Sequence, residues 1–372
     1  MAGANLAAPL YHLYAKQFGF SSLVLTLVFA TYAFLLVPTL LVFGRISDRF
    51  GRRPVLLAGM TAACAGLALF AAATSTPWLF AARALQGLAV GMISGTATAV
   101  LVELDPGAGD RRPALLAGVA QAAGSAAGPV VAGVLAEWAP LPMRLCYLVV
   151  LGLTVIAAAF VAALPGEERG TEPWRIQWPR VPGEIRADFA RVGVTAALAW
   201  GSIALFFSIV PSYADRFLTT RNLAVFGAIA SVGLAASCLS QVVAQRLRRS
   251  QQRVEATGLS AIAAGLVALA LAAPAGSLAL LLAGGVSVGA GHGLAIFDAQ
   301  DELNELAPRE RRGEVTAAFV CCIYLVVAGS VIATGLLDLG LALSAAVGIV
   351  AVALALGASG TAVWQLRAAT AR

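Results

Sequence analysis

Long runs of apolar residues broken by short polar segments set the rhythm of this chain. Segmentation by run length, and by breaks at Pro, Gly and charge, predicts twelve helical spans. They are Met1–Tyr14, Ser21–Phe43, Val55–Ala73, Trp78–Val102, Pro113–Ala136, Met143–Leu164, Val192–Ser212, Asn222–Gln245, Ala256–Ala273, Ser277–Phe297, Glu314–Leu337 and Leu339–Leu366. The longest polar segment, Pro165–Arg191, divides them six and six. The expected organisation is therefore a first bundle over 1–164, a linker over 165–191 and a second bundle over 192–372. Within the linker, Gly183–Arg191 reads as an amphipathic stretch lying on the membrane surface.

Composition agrees with this pattern. Hydrophobic residues make up 60% of the 372 and charged residues only 12%, against about 25% charged in ordinary soluble domains. Mean hydropathy is +0.86. The net charge of +6 does not point to nucleic acid, because the basic residues sit in short loops between apolar runs rather than in a stripe on a soluble domain. Counted by loop, 20 of the 25 Lys and Arg residues fall on one side of the alternating spans. That side is read as cytoplasmic, with both termini of the full-length form on it. Lys16 is the only lysine, and the abundance of Arg and Ala suggests a GC-rich bacterial source and hence a bacterial cytoplasmic membrane.

The five cysteines lie within apolar runs without metal spacing or an extracellular pairing pattern. No phosphate-binding Gly-x-x-x-x-Gly-Lys-Ser/Thr is present, so neither a metal, a cofactor nor an ATP-driven pump is expected from this chain.

The most charged short segment of the first hundred residues lies between the second and third spans: Gly44-Arg-Ile-Ser-Asp48-Arg49-Phe-Gly51-Arg52-Arg53-Pro54. It reads as a tight surface loop, with arginines that resist translocation and Asp48 placed to cap a helix or anchor charges. A solvated basic loop that only sets orientation would explain the arginines but not Asp48 and the spaced glycines. The segment resembles the signature loop of the major facilitator superfamily. That resemblance implies a cytoplasmic gate in which Arg49 or Arg52 meets Glu103 or Asp105, with Asp48 near the start of the eleventh span, at Gly313 and Glu314.

Two further stretches carry the resemblance. Arg83-Ala-Leu-Gln86-Gly87 and Gly91 match the superfamily's fourth-helix pattern, in which the arginine is implicated in proton coupling. From the residues alone, Arg83 either serves function inside the bundle or snorkels and pairs with backbone carbonyls. Gly124-Ser-Ala-Ala-Gly128-Pro129, followed by Ala132-Gly133, forms a small-residue face with a kink at Pro129. It is similar to a sequence associated with exporters that exchange substrate for protons, with Ala132 replacing one glycine.

The halves also resemble each other. Gly87, Gly91 and Gly95 align with Gly285, Gly289 and Gly293, and Glu103 falls opposite Asp301. This implies parallel halves around a path near the bilayer midplane. Extending the offset places Val192 opposite a position before Met1, so the first helix is expected to be truncated.

Proton coupling calls for a titratable group within the membrane. The first half offers none at mid-depth, Glu103 and Glu137 lying at the edges; the second offers His292 and, nearer the cytoplasm, Asp298. For His292 a hydrogen-bonded neutral ring and a proton-handling group stand as equal readings. Asn5, Tyr32, Gln121, Trp200, Ser202, Phe206 and Tyr324 are the expected cavity residues, a mixture suited to a neutral or amphipathic ligand.

The expectation is an all-α membrane protein of two pseudo-symmetric six-helix bundles, a monomer partnered by bilayer, small-molecule substrate and protons. The resemblance implies a secondary transporter, with proton-coupled efflux first and an importer or uniporter of a sugar, organic acid or metabolite second. An integral-membrane enzyme is the reading from another class; His12 and His292, in opposite halves, form no catalytic constellation.

Overall fold

The computed structural model describes residues 1–104, 111–164, 178–217, 222–244, 251–308 and 311–371; within them the side chains of 44, 45, 48, 98, 102–104, 111–115, 117, 208–217 and 371 are not described. Among the described residues there are α-helices and two short 3-10 turns and no strand. Among these residues eleven helices are long and apolar enough to cross a membrane.

The helices are α1 (Ala2–Asn5), α2 (Tyr11–Phe18), α3 (Ser22–Phe50), α4 (Arg52–Ala72), α5 (Thr76–Leu104), α6 (Arg111–Trp138), α7 (Leu145–Ala162), α8 (Arg186–Phe217), α9 (Leu223–Ala244), α10 (Gln251–Ala272), α11 (Leu278–Leu306), α12 (Arg312–Leu337) and α13 (Leu343–Ala371). The expected single span Met1–Tyr14 is broken. A 3-10 turn at Ala8–Leu10 separates α1 from α2, because Pro9 has no N–H to continue the α-helical ladder. The segment runs on to Phe18 and stops at Gly19, whose φ of 68° closes α2 in the left-handed region.

The arginine-rich motif is not the loop the charges suggest. Helix α3 runs through it to Phe50, α4 begins at Arg52, and Gly51 alone, at φ 93° and ψ 150°, makes the turn. No residue with a Cβ adopts that backbone cheaply. The surface stretch expected at Gly183–Arg191 is likewise absorbed: a 3-10 turn at Gly183–Ile185 leads straight into α8.

Packing follows the internal repeat. In the first bundle α5 lies against α3 and α4, and α4 against α7; in the second α11 lies against α9 and α10, and α10 against α13. The repeat glycines make these approaches possible. A Cβ on Gly91 would strike Thr39 of α3, and one on Gly289 would strike the Gly233 carbonyl of α9. The bundles meet along α6–α9 and along α3–α12, two interfaces that exchange under the repeat.

Both interfaces are tight at the same end. A Cβ on Gly227 of α9 would overlap the Pro129 carbonyl of α6, Gly133 is backed by the Leu223 carbonyl, and Gly335 of α12 by Thr26 of α3. The Glu137 carboxylate accepts the Leu223 N–H at 2.8 Å. This closed end lies opposite the arginine-rich ends of the helices.

Candidate substrate cavity

Between the bundles lies a cavity of about 190 Å³, lined by α1, α3, α5 and α6 of the first bundle and by α8, α9, α11 and α12 of the second. Among the described residues none from α4, α7, α10 or α13 lines it. Its walls follow helical spacing: Gly118, Gln121, Ala122 and Ser125 on α6; Leu234, Ser237 and Gln241 on α9; His292, Ile296 and Gln300 on α11. These positions run toward the arginine-rich ends, while the opposite end is sealed by the glycine contacts described above.

Of the residues expected here from sequence, Asn5, Tyr32, Gln121, Trp200 and Tyr324 line the cavity. Ser202 and Phe206 do not. Ser202 is fully buried and returns its hydroxyl to the Leu198 carbonyl at 2.7 Å. Phe206 is fully buried too, its ring filling the space left beside Gly285. On α8 the cavity face carries Trp200, Ile203, Ala204 and Phe207, so a shift of one residue in helical phase separates wall from core. Gln241, Gln300, Ser237 and Ser125 are additional polar wall residues. The spacing of eight residues from His292 to Gln300, two helical steps of four through Ile296, was the signal for one of them.

Arg83 sits on the cavity wall of α5 at 3% exposure. Its Nε donates to Tyr11 Oη at 2.5 Å, and its Nη1 donates to the Ala4 carbonyl at 2.6 Å and to Gln86 Oε1 at 2.9 Å. Gln86 in turn donates to the Gly3 carbonyl at 2.9 Å. The guanidinium carbon lies 5.3 to 6.0 Å from the ring centres of Tyr11, Phe29, Phe70 and Tyr32. Carbonyls freed by the broken first segment and an aromatic cage thus hold the cation, with no carboxylate partner among the described residues. Gly87 lies against the Tyr32 carbonyl of α3, which brings α5 close enough for this.

On the opposite wall His292 is 3% exposed. Its Nδ1 is 2.8 Å from Ser237 Oγ, its ring meets Trp200 edge-on at 4.7 Å, and its Nε2 has no hydrogen-bond partner among the described residues. Tyr32 of the first bundle and Tyr324 of the second both line the cavity. Asn5 donates to the Ser125 carbonyl at 3.4 Å.

Gly124 and Gly128 of α6 do not form the wall; they seat α1, facing Ala2, Met1 and Asn5, whereas Pro129 and Gly133 meet α9. In the arginine-rich motif, Arg53 donates from Nη1 to the Leu164 carbonyl at 3.1 Å, capping the end of α7. Arg49 lies exposed with its guanidinium 5.4 Å from the Phe50 ring centre, and Arg52 is half-buried. Gly44, Asp48 and Glu103 belong to helices α3 and α5, but the side chains of Asp48 and Glu103 lie outside the described residues, as does Asp105 altogether. Asp298, named from the sequence as a titratable candidate, lies on α11, and beside it two acidic groups have no signal in the apolar runs: Glu255 and Glu302 lie within α10 and α11 because these helices extend past the runs that announced them.

Comparison with known proteins places this arrangement. The puromycin resistance protein pur8 of Streptomyces alboniger is 28% identical over 203 residues, 53% of this chain and 39% of that protein. The class C tetracycline resistance protein of Escherichia coli is 34% identical over 139 residues, 37% of this chain and 34% of that protein. A triacylglyceride transporter of Mycolicibacterium hassiacum is 32% identical over 136 residues, 36% of this chain and 25% of that protein. The matches therefore span between a quarter and two fifths of these relatives. A mutant of the nucleoside transporter NupG has the same fold, with a TM-score of 0.72 at 14% identity, over 98% of this chain and 95% of that one. The family model described as Major Facilitator Superfamily matches residues 1–334. On these grounds the chain belongs to the Major Facilitator Superfamily.

Proposed function

We propose that this protein is a secondary transporter that exports a small neutral or amphipathic compound in exchange for protons, by alternating access across a bacterial cytoplasmic membrane. The observation that carries this reading is the cavity between the bundles, sealed at one end by glycine-to-backbone contacts and bordered by helices from both halves. With the arginine-rich ends on the cytoplasmic side, the closed end faces outward and the cavity is poised to load from the cytoplasm. Four amide side chains and five aromatic rings on the wall (Asn5, Gln121, Gln241, Gln300; Phe29, Tyr32, Trp200, Phe207, Tyr324) suit a flat, uncharged ligand. The wall's described ionisable groups are cationic or neutral, which disfavours lipophilic cations. Resemblance to puromycin and tetracycline resistance proteins supports export.

In this reading Gly44, Asp48, Arg49, Gly51, Arg52, Arg53, Glu103 and Asp105 form the cytoplasmic gate. Arg83, Gln86, Gly87 and His292 serve coupling, and Gly124, Gly128, Pro129 and Gly133 let α6 slide between its neighbours. The protein works as a monomer.

Reconstitution tests this. In proteoliposomes with tetracycline and puromycin as probes, an imposed pH gradient drives accumulation of at least one probe above empty vesicles. Accumulation that ignores the gradient favours the second reading, a uniporter or importer, which the absence of a carboxylate from the described cavity wall also supports.

A further inference from the structure

Outside the cavity wall, on the arginine-rich side, four helices of the second bundle meet in a buried polar knot. Arg191 of α8 is 2% exposed. It donates from Nη2 to Glu302 Oε1 of α11 at 2.5 Å and from Nη1 to Gln365 of α13. The Gln365 amide donates to Glu255 of α10 and to Thr195 Oγ1, the latter at 2.9 Å. Since α8 and α11 carry cavity residues and α10 and α13 carry none, the knot ties the moving wall to its backing.

The knot holds more acid than base. Glu255 is 0%, Glu302 2% and Asp298 8% exposed, and Arg191 is the one cation buried with them among the described residues. The charged groups facing Glu255 are Glu302 and Asp298 of α11 and Arg191 of α8. Asp188 reaches Arg191 from the exposed edge at 3.3 Å, Asp301 stands beside Asp298, and Arg253 and Arg367 point to the exposed surface. The arginines at 246, 248 and 249 lie outside the described residues. Glu255 Oε1 and Asp298 Oδ2 are buried with no hydrogen-bond partner among the described residues. Buried carboxylates outnumbering their cation repel one another and lose hydration, and neutralisation by a proton relieves both.

We propose that Glu255 carries the transported proton, outside the substrate cavity. The carboxylate takes one proton from water and returns it, no other bond changing. Taking the proton cancels the carboxylate's charge and frees Gln365 and Arg191 to re-pair, which shifts α8 and α11 against α10 and α13. Substrate and proton therefore act on the same helices without sharing a binding group. This rests on the transport reading above, but its first test does not.

That test is an infrared pH titration of the full-length protein in detergent. A carboxylic-acid C=O stretch is expected at neutral pH, lost on alkalinisation, absent from E255Q and retained in the exposed control E305Q. Its absence from wild type, or its persistence in E255Q, overturns the proposal. A second arm uses tetracycline in proteoliposomes: E255Q keeps exchange at equal pH and loses gradient-driven accumulation. Gradient-driven accumulation by E255Q equal to wild type would also overturn it. If wild type moves no tetracycline, the transport reading is at fault and the infrared titration still decides the proton site. Thermal unfolding of E255Q close to wild type excludes simple misfolding.

Discussion

Arg83 and Tyr11 are joined by a 2.5 Å hydrogen bond that links α5 to the broken first segment. The Ala4 and Gly3 carbonyls complete the link through Arg83 and Gln86. Arg83→Ala leaves the Tyr11 hydroxyl, the Ala4 carbonyl and Gln86 Oε1 without their donor and is expected to destabilise the protein by about 2 kcal/mol. It should also abolish pH-driven transport while equal-pH exchange survives. Thermal unfolding and vesicle assays read the two effects separately, and full gradient-driven activity in the variant would remove Arg83 from coupling.

Tyr11→Phe provides the graded version. It removes one hydrogen bond to a charged donor while keeping the ring against the guanidinium, so a loss of about 1 to 2 kcal/mol is expected. A variant as stable as wild type would mean that the aromatic cage, rather than the hydroxyl, holds the cation.

Much of this was legible in the sequence. Apolar run length marked the eleven long helices found among the described residues, and the glycine repeat marked α5 and α11 as equivalent, though not the neighbours against which their glycines pack. What escaped was local. Pro9 sits in an apolar run and carries no charge to mark the break in the first helix, yet that break supplies the Ala4 carbonyl to Arg83. Phe206 and Phe207 are identical in chemistry, yet Phe206 packs on Gly285 while Phe207 reaches the cavity wall. Glu255 and Glu302 stood at the margins of apolar runs, where charge reads as loop; the donor that Glu255 meets, Gln365, comes from the far end of the chain.

Trp200 and His292 should set ligand affinity. Trp200→Ala removes an aromatic wall and is expected to weaken tetracycline binding about tenfold or more, the equivalent of about 1.4 kcal/mol. His292→Gln keeps polarity and should have the smaller effect. Equilibrium binding to purified protein checks the order; equal affinities in all three proteins would move the ligand away from this wall.

Gly227 lies where α9 meets the Pro129 carbonyl of α6. Gly227→Val forces the closed end apart and should cost about 1 to 3 kcal/mol in the form described here. It should therefore raise labelling of nearby engineered cysteines from the outer side. Unchanged labelling would show that this contact is not the outer seal.

The central claim is that the closed end must open in every transport cycle, and cross-linking that end tests it most directly. Glu137 of α6 and the Leu223 N–H at the start of α9 are already in contact at 2.8 Å. With the native cysteines replaced by serine, Glu137→Cys and Leu223→Cys should form a disulfide that stops pH-driven accumulation, and a reductant should restore it. Transport by the cross-linked protein at the reduced protein's rate would contradict alternating access through this cavity.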